Sequence, residues 1–110
     1  MPNVKIFVDE TRFRAVQEDL ASILPDLRTQ LCEALSVDLA ATQFAVIPVV
    51  GLPDQPAINV EMHVLPRPER TREAVLAVAK KTRDSVHKAT GQHVAVRIAT
   101  LDAETYVALK

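Results

Sequence analysis

The sequence predicts an α+β domain: two β-α-β units whose strands form one four-stranded mixed sheet, with two helices on a single face. Three observations predict it. Four short segments have strand character, three of them with an apolar residue at every second position. Two longer segments between them carry apolar residues at spacings of three and four, giving the order β-α-β, loop, β-α-β. The halves also match in outline, since Pro2-x-Val4-x-Ile6-x-Val8 parallels Pro56-x-Ile58-x-Val60-x-Met62. The 110 residues suffice for one domain, 1–110, with 1–50 and 56–100 as a pseudo-repeat.

Taken in order, residues 3–8 are a half-buried strand, with Val4, Ile6 and Val8 on one face and Lys5 and Phe7 on the other. Asp9-Glu10-Thr11-Arg12 reads as a polar break. Leu20, Ile23, Leu24, Leu27, Leu31, Ala34 and Leu35 then form a helical stripe interrupted by Pro25. Proline is tolerated in a first helical turn, so the main helix is expected to start near Leu24, with Ser22 as its cap. Residues 42–50 are rich in β-branched and aromatic side chains and form a second strand, which Pro48 places at a sheet edge.

Gly51 to Pro56 is a loop by composition. Residues 57–65 form a third strand, with Ile58, Val60, Met62 and Val64 on one face and Asn59, Glu61 and His63 on the other. Pro66-Arg67-Pro68 ends that strand and opens a second helix, whose stripe is Val75, Val78, Ala79, Thr82, Val86 and Ala89, and Gly91 stops it. Residues 93–99 are the last strand, and 101–110 a turn or small edge element. The face carrying Lys5, Phe7, Asn59, Glu61, His63 and Arg97 is too mixed for a core. It fits either a subunit contact or a solvated surface.

Composition narrows the function. A net charge of −1 gives no general pull toward nucleic acid or anionic lipid, and without Trp and with one Tyr the chain lacks a base-stacking sheet. Neither nucleic acid nor membrane is an expected partner. Cys32 is alone, so no internal disulfide can form, and packing is its expected role. With no charged-then-apolar leader and no spanning apolar run, a cytoplasmic protein is expected. His63, His87 and His93 lack ligand spacing, so no metal is expected, and no glycine-rich phosphate loop or G-x-S-x-G elbow occurs.

Pro2 remains. A small second residue permits removal of Met1, and the new terminus would be a secondary amine. Burial and nearby cations disfavour the charged form of an amine, so Pro2 could act as a general base near neutral pH. Proline is also simply common at position 2. Arg67, Arg70 and Arg72, in PRPERTRE, supply candidate cations beside a helix start, where a substrate carboxylate could bind through an arginine fork. They fit a solvated charged surface equally well.

MPNVKIFV, INVEMHV and PRPERTRE, in this order, resemble the tautomerase superfamily, and the match covers nearly the whole chain in outline. Its length resembles the macrophage migration inhibitory factor and cis-3-chloroacrylic acid dehalogenase groups rather than the half-length oxalocrotonate tautomerases. The resemblance implies Pro2 as catalytic base, and Arg67 and Arg70 as the pair holding a substrate carboxylate. Arg97 falls near a fourth-strand position where related enzymes often carry a tyrosine. Pointing into the pocket it would bind substrate and hold Pro2 neutral; pointing out it would serve a subunit interface.

The dehalogenases use a late glutamate to activate water. Here that region holds Ala108, with Glu104 nearby but out of register, so proton transfer is favoured over hydration. The implied activity is keto–enol tautomerisation of a small 2-oxo or 2-hydroxy carboxylic acid, with no cofactor, by a homotrimer whose centre the mixed sheet face lines. While Met1 remains attached, Pro2 is an amide and cannot be the base. Two other readings share these observations: a non-enzymatic oligomeric binding protein of the same fold, and a ferredoxin-like regulatory domain with the same element order.

Overall fold

A computed structural model describes residues 2–110. Met1, on whose removal the amine chemistry depends, lies outside the described residues. The first strand, β1 (Asn3–Asp9), runs without a loop into a 26-residue helix, α1 (Glu10–Leu35). Asp9 makes this possible as both last strand residue and helix cap. Its Oδ1 accepts from the Thr11 N–H at 2.9 Å and from the Thr11 hydroxyl at 2.6 Å. These bonds hold the Asp9 carboxyl below its ordinary pKa, with Arg12 adding a smaller attraction.

The expected break at 9–12 and the helix start near Leu24 are therefore corrected. Pro25 lies inside α1, and Ser22 donates to the Asp19 carbonyl at 2.8 Å instead of capping. The missing N–H of Pro25 releases only the carbonyl of Ala21, an exposed residue that water can satisfy. Buried Val16, Leu20, Leu27, Leu31 and Leu35 flank the proline and hold both halves of the helix to the sheet. Tertiary packing thus overrides a local breaker. Pro25→Ala should raise stability by about 1–2 kcal/mol, less than the full helix-interior cost because proline also stiffens the unfolded chain. Urea unfolding would check this.

After a short 3₁₀ turn, Leu39–Ala41, come β2 (Gln43–Val49), β3 (Ile58–Val64), α2 (Arg72–Thr90) and β4 (Val94–Thr100). Pro66 to Thr71 is irregular, so α2 opens later than expected, where the Thr71 hydroxyl accepts from the Ala74 N–H at 3.2 Å. Gly91, at φ 69°, ends α2 in the left-handed conformation its sequence position suggested. Residues 101–110 add no strand.

The sheet order is β2-β1-β3-β4. β1 and β3 pair antiparallel at the centre, and each has a parallel partner outside it. Pro48 sits on an edge strand, as its lack of a donor requires. This order removes the ferredoxin-like reading: a split β-α-β unit would place another strand between β1 and β2, which here pair directly.

Both helices cover one face. Val4, Ile6, Val8, Ile58, Val60, Met62, Val64 and Val94 from the strands pack against the helix stripes to form the core. Each such side chain contributes about 1.5–3 kcal/mol of burial. The opposite face is open. His63, Arg97 and Ala99 are exposed there, and Lys5, Phe7, Asn59 and Glu61 are half-buried. Register aligns Lys5, Glu61 and Arg97 in one row, so Glu61 lies between two cations. Arg97 Nη1 donates to Asn59 Oδ1, and Asn59 Nδ2 to Glu61 Oε1 at 3.4 Å. No helix of the described residues is long and apolar enough to cross a membrane.

Candidate active-site end of the sheet

β1 begins where β3 ends. Asn3 pairs with His63, which brings Pro2 level with Val64. Val4, Ile6 and Val8 face the helices, and Pro2 shares their parity. Its side chain is less than 2 % exposed. The Pro2 carbonyl accepts from the Gln43 N–H at 3.1 Å, which ties the residue to β2. Pro2 is thus held at the start of a central strand, with its ring enclosed.

Arg70 reaches this end of the molecule from the loop before α2. Its Nη1 donates to the Leu65 carbonyl at 2.5 Å and its Nη2 to the Leu35 carbonyl at 2.8 Å. One guanidinium therefore joins the exit of β3 to the last residue of α1. The helix has reason to need it. The final turn of α1 contains no basic residue, and Ser36 closes it at φ 55°, ψ 51°. A non-glycine residue in that conformation costs roughly 1–2 kcal/mol, and the positive charge of Arg70 offsets the cost at the negative end of the helix dipole. By contrast, α2 ends with its own His87 and Lys88 and with a glycine.

Burial, with the neighbouring Arg67 charge, lowers the Arg70 pKa, and Glu69 opposes the shift. The Arg70 Nε is buried without a partner. Arg67 is exposed and its Nη1 lies 3.9 Å from Glu69 Oε1, leaving it able to turn toward a ligand. Arg97 is held elsewhere, on the open sheet face, three residues from the chain end of β4 and two strands from β1. Within one chain, then, Arg70 comes to the Pro2 end of the sheet, Arg67 stands beside it on the same loop, and Arg97 does not join them.

Sequence reading missed the Leu35 carbonyl and Ser36 as parts of this site. The one signal was a helix ending on Leu-Ser with neither glycine nor a basic residue, which left its carbonyls to be satisfied from elsewhere. Cys32 is buried, with Sγ 3.6 Å from the Asp38 carbonyl and 3.8 Å from the Thr42 hydroxyl, a packing position.

No protein-family model matches the chain, and no curated protein matches it by sequence. Solved structures do match in fold. A protein of unknown function from Vibrio cholerae superposes with a TM-score of 0.75 at 19% identity, covering 97% of this chain and 83% of the other. A macrophage migration inhibitory factor-like protein from Entamoeba histolytica has a TM-score of 0.72 at 9% identity, covering 97% and 94%. A member of the cis-3-chloroacrylic acid dehalogenase family has a TM-score of 0.72 at 16% identity, covering 96% and 79%. Fused 4-OT trimers also share the fold. The chain has the tautomerase fold the sequence suggested, and proteins of this fold include trimers.

Proposed function

We propose that this chain is a tautomerase-type isomerase that moves a proton on a small 2-oxo or 2-hydroxy carboxylic acid, with Pro2 as general base once Met1 has been removed. The observation that carries this reading is the place of Pro2. It is the second residue, enclosed at the start of a central strand, in a fold shared with tautomerase superfamily structures. Neutral Pro2 takes a proton from one carbon of the substrate and returns it to another, so no oxidant or cofactor enters. Arg67 binds the carboxylate, and Arg70 keeps the adjoining loop in place and contributes positive potential to stabilise the enolate oxygen.

Association into a trimer through the open sheet face would carry Arg97 to a subunit contact, and a neighbouring chain could supply the remaining wall of the site. The test is an intact mass of the chain purified from its own host, with phenylenolpyruvate ketonisation and light scattering on the same sample. Loss of Met1, measurable turnover and a trimeric mass are expected. A retained Met1, or a Met1-free chain with no turnover on this or related enol acids, overturns the reading.

One observation favours a second reading, a non-enzymatic binding protein of the same fold. Arg70 already spends both terminal nitrogens on backbone carbonyls. Carboxylate binding without turnover, unchanged by Pro2→Ala, would select it.

A further inference from the structure

Between α2 and the edge strand β4 lies a pocket of 550 Å³ whose two ends differ in chemistry. The start of α2 meets the end of β4, so Arg70, Arg72 and Thr100 stand together at one end. Along the helix and back along the strand follow Val75, Leu76 and Ala79, then Ile98 and Val96. Pro2 is not in the lining. Arg72 is exposed and forms no ion pair or hydrogen bond among the described residues. Leu76, 50% exposed, lies over the apolar end with no packing role that explains it.

We propose that this groove binds an amphipathic carboxylate, an alkyl or aryl acid, with its head on Arg72 and its apolar body along Leu76 and Ile98. Charge complementarity selects the occupant. The Arg72 guanidinium offers a planar fork matched to two carboxylate oxygens. The start of α2 adds the positive end of its dipole at the same place, although Thr71 already takes the Ala74 and Val75 N–H groups and Glu73 lies in the same turn. The Thr100 hydroxyl provides one more donor. Arg70 keeps the field at this end positive, because the two groups its terminal nitrogens engage are neutral carbonyls. An apolar neutral ligand would leave this end unmatched, and a small hydrophilic acid would leave the Leu76 end wet. The site does not depend on Pro2 and stands or falls apart from any turnover there.

The experiment is a calorimetric and amide-shift titration of the full chain with butanoate, hexanoate and octanoate, and with octan-1-ol. Affinity is expected to rise roughly threefold per added methylene, somewhat below full burial because one side of the groove is open. Octan-1-ol should bind at least about tenfold more weakly than octanoate, and Arg72→Gln should weaken octanoate about tenfold, the scale of one charge-assisted pair. Leu76→Asp should abolish the chain-length trend. Both residues are exposed, so both variants should keep the wild-type circular dichroism. Equal binding of octanoate and octan-1-ol, no effect of Arg72→Gln, or amide shifts on the open sheet face instead of α2 and β4 would overturn the proposal. So would an oligomer that dissociates on Leu76→Asp, since the groove would then hold a second copy of the chain.

Discussion

Arg70→Ala is expected to lower the unfolding free energy by about 3 kcal/mol, a large share of what a domain of this size holds. The physical reason is the pair of carbonyls it leaves behind. A charged donor contributes roughly 1.5–3 kcal/mol to each hydrogen bond it makes, and Arg70 makes two, to Leu65 and Leu35. The side chain is only half-buried, so water recovers part of the loss at both oxygens. The strained Ser36 turn and the end of α1, whose last turn has no basic residue, also lose the cation that bonds them. Arg70→Lys should recover no more than about half, because one ammonium cannot span carbonyls on two elements as a planar fork does. Denaturant unfolding gives the magnitude. Amide exchange gives the location, with the last turn of α1 and residues 65–71 losing protection first. If Arg70→Ala unfolds with wild-type stability, these bonds are ornamental and the residue is free to serve a ligand instead.

Much of this fold was legible in the sequence, and the part that was not has a single cause. The alternation in NVKIFV, INVEMHV and VAVRIA fixes which side chains face the helices, because a strand has a period of two and a one-residue slip would reverse every face. Pro48 and Gly91 read correctly because each carries a local requirement, a missing donor and a positive φ. Pro25 misled for the same reason. Its local rule is to end or begin a helix, yet the stripe of buried leucines on both sides of it is a tertiary fact, and it wins. Asp9 likewise looked like a break when it is a strand end and helix cap at once. At the candidate site the sequence pointed to Pro2, Arg67 and Arg70 but not to their partners. Leu35 and Arg70 are 35 residues apart and meet through backbone oxygens, which leave no trace in residue type. Alternation put Arg97 on the face of Lys5, Glu61 and His63, and the register sets it opposite Glu61 there.

Pro2→Ala is expected to reduce turnover of an enol acid by about 100-fold or more, the low end of what a positioned general base supplies. The low end applies because the variant still ends, once Met1 is gone, in an amine. Alanine offers a primary amine on a freer residue. That amine is held less firmly at the start of β1, and positioning is what the proton transfer loses. The ring also contributes packing, since Pro2 is among the fully buried side chains, and its truncation should cost about 1 kcal/mol of stability. That structural loss is separable from the chemical one. A packing effect would leave kcat near wild type in the folded fraction, whereas loss of the base lowers kcat with KM little changed. The pH profile gives a second check. Activity carried by a neutral amine falls as pH drops through the pKa of that amine, and exchanging a secondary for a primary amine should displace that limb in Pro2→Ala. A Met1-free Pro2→Ala protein that keeps turnover within about threefold of wild type, with an unshifted acid limb, would remove Pro2 from the mechanism and leave the fold in the service of binding alone.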